Sequence, residues 1–75
     1  KYDCIITNPP IRAGKSVYMN IIENAAEYLT DDGELWFVMN KDHGAKSTIE
    51  KIKNVYDVNV LNKSKGFFVI LCKKR

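Results

Sequence analysis

The chain reads as an α/β domain with the element order β-α-β-α-β-β, the last strand antiparallel. Three observations carry that reading. Short apolar runs at 2–7, 35–39 and 67–72 have the length of strands. Two stretches between them, near 16–29 and 45–54, repeat apolar residues at helical spacing. Proline, glycine and Asp/Asn clusters separate the runs from the helical stretches.

The elements follow in order. Tyr2–Thr7 is a short buried strand, and Pro9 and Pro10 end it because neither has an N–H to give to a sheet. Residues 11–15 form a loop with Gly14 as its free joint. Ser16 is placed to cap a helix, and Val17, Ile21, Ile22, Ala25 and Leu29 then mark its inward face. Thr30-Asp31-Asp32-Gly33 is a turn cluster. Leu35–Met39 is apolar without a break, as in a strand buried on both faces, which puts Trp36 and Phe37 in the core. Asn40–Gly44 is a loop at the same sheet end as Asn8. A helix over 45–54 turns Ala45, Ile49 and Ile52 inward. Val58-Asn59-Val60 alternates like a half-exposed strand. Lys63–Gly66 is a hairpin turn leading into the strand 67–72. So short a connection forces the last two strands antiparallel. The more apolar final strand is expected between the second and third, leaving the alternating one at the edge.

Composition limits the functional classes. With 75 residues, 45% hydrophobic and 11% aromatic, this is one folding domain at most. A domain of that size buries only ~60–65% of its unfolded surface. The net charge is +3, and Lys73-Lys74-Arg75 account for the excess in sequence; a small basic surplus suits a nucleic-acid partner or simply a solvated surface. Cys4 and Cys72 each lie in an apolar run without CxxC spacing, and the one histidine, His43, is remote from both. That pattern fits buried free thiols in the cytoplasm better than zinc. No run of about 18 apolar residues points to a membrane.

Asn8-Pro9-Pro10 is the richest signal. It sits at the carboxyl end of the first strand, where open α/β sheets place ligands. Asn8 brings a side-chain carbonyl and Pro9 a main-chain carbonyl, two acceptors suited to the N–H groups of a planar amine. The plain alternative is a strand terminator and turn. Asp3, at the far end of the strand, reads as structural, paired with a neighbouring loop. In the loop 40–44, Asn40, Lys41 and His43 are further candidates for substrate contact.

The stretch Asp3-Cys4-Ile5-Ile6-Thr7-Asn8-Pro9-Pro10 resembles the D-x-I-x-x-N-P-P motif of class I S-adenosylmethionine-dependent methyltransferases that act on amino groups. The continuation Ile11-Arg12-Ala13-Gly14-Lys15 is similar to the small-domain members that methylate guanine N2 in 16S ribosomal RNA. The resemblance spans essentially the whole chain. It implies a partial Rossmann-like methyltransferase sheet, with residues 1–75 a single partial domain, the carboxyl-terminal half of a methyltransferase domain. It implies catalytic roles for Asn8 and Pro9 and a place for Asn8 beside the cofactor, S-adenosylmethionine. It implies substrate contacts from Pro10, Ile11, Arg12 and Lys15, and ribosomal RNA as partner. Arg12 and Lys15 read either as phosphate contacts or as ordinary solvated charges. Ile11 stands where relatives acting on adenine or on a protein glutamine usually carry an aromatic.

The glycine-rich turn and ribose-binding carboxylate of that family would lie upstream of Asn8. These residues alone are therefore expected to bind the cofactor weakly or not at all. The unpaired edge of the first strand invites a homodimer through Tyr2–Thr7. A different class of function, a non-catalytic basic module that holds RNA or a protein, stays open.

Overall fold

A computed structural model describes the backbone of residues 1–75 and the side chains of all but Ile11 and His43. The elements are β1 (Tyr2–Thr7), α1 (Lys15–Tyr28), β2 (Leu29–Asn40), α2 (Ala45–Ile52), β3 (Tyr56–Ser64) and β4 (Phe67–Lys74), with single 3-10 turns at Ile11–Ala13 and Lys41–His43. The sheet order is β1-β2-β4-β3. β1 and β2 are parallel, and β4 runs antiparallel to both of its neighbours, so β3 points the same way as β1 and β2. The expected insertion of the last strand between the second and third is what the fold adopts.

The helices share one face of the sheet. Tyr18, Met19, Ile22 and Ala25 of α1 meet Leu35, Phe37 and Met39 of β2 and Phe68, Ile70 and Cys72 of β4 in one buried cluster. Ala45 and Ile52 of α2 complete it. Burying a side chain of this kind contributes roughly 1.5–3 kcal/mol. Tyr56, fully buried at the start of β3, donates its hydroxyl to the Ile22 carbonyl at 2.7 Å and ties strand to helix.

Several expectations are corrected. β2 is covered on one face only: Leu35, Phe37 and Met39 are buried, while Trp36 is half-buried and Val38 is 40% exposed. Nothing among the described residues covers the second face. β1 is exposed along most of its length, Cys4 included, because its outer edge and second face have no neighbour among the described residues. Val17 and Ile21 are exposed, and Tyr18 and Met19 take the inward places. Ile21 instead faces a groove beside the free edge of β1, lined also by Tyr2, Cys4, Ile5, Asn24 and Tyr28. In α2, Ala45 and Ile52 are buried and Ile49 packs half-buried against the core, as expected, while the burial of Thr48 beside them was not. Gly14, not Ser16, caps α1, without a side-chain hydrogen bond.

The cluster Thr30-Asp31-Asp32-Gly33 lies within β2 yet still acts as a turn. Pairing to β1 jumps from Tyr2↔Leu29 to Cys4↔Glu34, so the intervening residues bulge out. Gly33 permits this, because a Cβ there would stand 2.9 Å from Cβ of Leu29. The β3–β4 turn is narrower than expected, Lys65-Gly66 alone, with φ of 50° and 84°. Positive φ at both central residues is the twist-matched form of a two-residue hairpin.

Candidate active site

The chain direction places three connections at one end of the sheet: the stretch from β1 to the start of α1, the residues between β2 and α2, and the β3–β4 hairpin tip. This is the carboxyl rim of the three co-directional strands, where the backbone leaves the sheet and ligand sites form. A cavity of about 740 Å³ opens there. Its floor is apolar: Ile6, Val38, Met39 and Phe67. Its polar wall is Thr7, Asn8, Arg12 and Asn40, with Pro9 and Pro10 between them.

Asn8 is exposed and its side chain makes no hydrogen bond with the described residues. An amide on a cavity wall with both its carbonyl and its NH2 free is able to bind a ligand at no cost to the fold. Pro9 is buried, which fixes the main chain next to Asn8. The Pro10 carbonyl is used locally: it accepts from the Ala13 N–H at 3.0 Å and closes the 3-10 turn. Two prolines and that bond leave the segment little freedom, so its geometry is set before a ligand arrives.

The other candidates divide. Arg12 lines the cavity with Asn8, Pro9 and Pro10. Lys15 does not; it starts α1, and its ammonium donates to the Ser47 hydroxyl at 3.0 Å, bracing α1 against α2. The side chains of Ile11 and His43 lie outside the described residues. Asn40 lines the cavity, but its Oδ1 accepts from the Asp42 N–H at 2.8 Å, which shapes the 3-10 turn and leaves the NH2 group for a ligand. Asp3 is structural as expected, accepting from the Thr30 hydroxyl at 3.1 Å across the bulge.

Phe67 is the residue the sequence reading missed. It is 48% exposed and supplies an aromatic surface to the cavity. The signal was available: Phe67 and Phe68 are adjacent in a strand, so one of them must face away from the core. Phe67 also follows the hairpin turn directly, which puts it at the rim.

At the opposite end of the sheet the polar groups are tied to one another. Lys74 donates to the Leu29 carbonyl at 3.1 Å and Arg75 to the Tyr56 carbonyl at 3.2 Å. Lys73 pairs with Glu34 at 3.7 Å and Arg75 with Asp57 at 3.6 Å. The Lys73–Arg75 run, which in sequence stood for the basic excess, is therefore occupied in fastening a strand end. Burial pushes the Cys72 thiol up from 9.0 to about 12 and the Tyr56 hydroxyl from 10.0 to about 12, so neither is an ionised nucleophile at neutral pH. Among the described residues no three His, Cys, Asp or Glu side chains gather to hold a metal ion. No helix is long and apolar enough to cross a membrane.

Comparison with known proteins agrees with this architecture. An uncharacterized protein of Bacillus subtilis, YbxB, is 52% identical over 71 residues. That stretch is 93% of this chain and 35% of the relative, so the chain spans about a third of the curated protein that it matches. The structure of a T. thermophilus 16S rRNA N2 G1207 methyltransferase, RsmC, in complex with AdoMet and guanosine, superposes with a TM-score of 0.89. The match covers 99% of this chain and 20% of that one at 20% identity, a likeness of fold. The family model of the methyltransferase small domain matches residues 1–71, and the chain belongs to that family.

Proposed function

We propose that these residues form the substrate-side half of an S-adenosylmethionine-dependent methyltransferase acting in the cytosol on an exocyclic amino group, guanine N2 of small-subunit ribosomal RNA. One observation carries the reading. The Asn8 amide lines an open cavity and makes no hydrogen bond with the described residues, on a main chain stiffened by two prolines.

The amine of a nucleobase is a poor nucleophile because its lone pair is delocalised into the ring. The Asn8 Oδ1 and the Pro9 carbonyl accept its two N–H groups and turn the lone pair out of the ring plane. The same acceptors stabilise the positive charge that grows on nitrogen during transfer. Ile6, Val38 and Phe67 offer a flat apolar surface to the ring, and Phe67 supplies the aromatic contact that Ile11 does not. When bound, S-adenosylmethionine would supply the electrophilic methyl group and leave as S-adenosylhomocysteine, and the methylated nitrogen would release one proton to solvent. Of these residues, Asn8, Pro9 and Pro10 would form part of one wall of its site. A glycine-rich turn and a ribose-binding carboxylate are not among them, so the 75 residues alone bind the cofactor weakly. Micromolar binding to them in a calorimetric titration contradicts that.

The free edge of β1 and the groove beside it would pair the isolated 75 residues as a homodimer through Tyr2–Thr7. Solution scattering from a compact monomer at high concentration rules this out.

The test is product mapping. The full-length polypeptide is incubated with isotope-labelled S-adenosylmethionine and unmodified small-subunit RNA, and the RNA is digested to nucleosides. Label in N2-methylguanosine supports the reading. Label in N6-methyladenosine moves the target to adenine. Tight RNA binding without label supports a non-catalytic module.

A further inference from the structure

The charge of this chain is distributed unevenly between the two sheet ends. The carboxyl rim carries six of the twelve cations, Arg12, Lys15, Lys41, Lys46, Lys63 and Lys65, against a single acid, Asp42. The opposite end carries the other six with the eight remaining acids. The rim is thus +5 and the far end −2, although the whole chain is only +3. The ion pairs among the described residues, Glu50–Lys53, Glu34–Lys73 and Asp57–Arg75, all belong to the far end. Cations on the rim face water and lack a carboxylate partner there.

Three of them form a unit. The Lys41 N–H donates to the Gly66 carbonyl at 2.7 Å, docking the hairpin tip onto the residues that follow β2. The Lys41 side chain passes close to Gly66, where a Cβ would stand 3.8 Å from its Cε. Lys63 holds its ammonium 5.5 Å from the centre of the Phe68 ring, and Lys65 occupies the turn itself. Asn40 and Phe67, the residues next to Lys41 and Gly66, line the cavity. Lys41 and Lys65 therefore stand within two residues of the cavity-lining Asn40 and Phe67, and Lys63, on the helix-bearing face with Phe68, extends the positive charge along the same hairpin, which the backbone hydrogen bond docks to Lys41.

We infer that Lys41, Lys63 and Lys65 are a phosphate-binding platform that holds the RNA strand flanking the base in the cavity. The inference rests on the cavity being a base site. A base delivered on a strand brings a phosphate on each side, and lysines contact phosphates without reading sequence. An acidic protein would meet the same charge, but it would not deliver a planar ring to Asn8 and Phe67.

The experiment measures binding of a 20-nucleotide single-stranded RNA to the full-length polypeptide by fluorescence anisotropy from 50 to 300 mM KCl. The variant combines Lys41→Gln, Lys63→Gln and Lys65→Gln; the control combines Lys51→Gln and Lys53→Gln at the far end. Each phosphate contact in single-stranded nucleic acid contributes about 0.7 to the slope of log affinity against log salt. The platform variant should lose about 2 from the slope and at least tenfold in affinity at 100 mM salt. The control should keep both, and circular dichroism should show both variants folded. An unchanged slope in the platform variant, or an equal loss in the control, overturns the inference. So does binding polyglutamate of matched charge as tightly as the RNA. Asn8→Ala separates this claim from the base-site reading: it should keep the RNA slope and lose methyl transfer. If Asn8→Ala keeps transfer while the platform variant loses its slope, the catalytic role of Asn8 fails and the phosphate platform stands.

Discussion

The two ends of this sheet use the same kinds of residue for opposite purposes. At the end where β2 and β3 begin, lysine, arginine, threonine and tyrosine are spent on the fold: Lys74 on the Leu29 carbonyl, Arg75 on the Tyr56 carbonyl and Asp57, Thr30 on Asp3, and the Tyr56 hydroxyl on the Ile22 carbonyl. At the carboxyl rim, Asn8 and most of the basic side chains have no partner among the described residues, around an open cavity. The difference follows from chain direction. Strands leave the sheet at the rim through segments that need not close on one another, so side chains there are available to a ligand. Stability is drawn from the core and the far end, and binding from the rim.

That division can be broken from either side. The largest loss should come from Phe37→Ala in the shared core, where Phe37 is 1% exposed. A cost of about 3–5 kcal/mol is expected, enough to leave so small a domain largely unfolded, and urea denaturation reads it. Tyr56→Phe removes the hydroxyl that ties β3 to the Ile22 carbonyl. It should cost about 0.5–1.5 kcal/mol by the same measurement, without altering the rim.

A smaller and reversible effect comes from pH. Burial raises the Cys72 thiol from 9.0 to about 12 and the Tyr56 hydroxyl from 10.0 to about 12. Both are therefore protonated in the folded protein at pH values where the unfolded chain has already lost those protons. The folded state then binds more protons than the unfolded one, and stability falls as pH rises. The stabilisation is complete below pH 9.0, declines first through Cys72, then through Tyr56 above 10.0, and is gone by about 12. Denaturation midpoints at pH 7, 9, 10 and 11 should fall in that order. A midpoint that rises above pH 9 contradicts the burial of Cys72. The smallest effect belongs to the rim: Asn8→Ala should change stability by no more than about 0.5 kcal/mol, because the amide makes no hydrogen bond with the described residues.

Much of this was legible from residue order. The strand 2–7, the antiparallel last pair and the strand order followed from apolar runs and from a connection too short for a crossover. The placement of Asn8, Pro9, Pro10 and Arg12 on one cavity followed from the prolines closing a strand. The errors share one cause. A run such as Leu35–Met39 implies two covered faces, and Val17 and Ile21 imply a helix that buries them. In the described chain the second face and the β1 edge have no neighbour, so Ile6, Val38, Ile21 and Cys4 remain exposed. Periodicity reports which residues are apolar, and not which layer covers them. Charge was misplaced for a related reason: a cation's position in sequence does not reveal the carboxylate it meets across the sheet, as Lys73 meets Glu34.

The central claim is that the Asn8 amide acts on the reacting amine and not on the fold. The most direct measurement is the single-turnover rate of methyl transfer to unmodified small-subunit RNA by the full-length polypeptide, native and Asn8→Ala, with thermal unfolding recorded on the same samples. The account predicts a rate lower by about 10²–10³ with an unchanged unfolding midpoint. A variant that transfers methyl groups at close to the native rate, or that slows only because it unfolds, contradicts it.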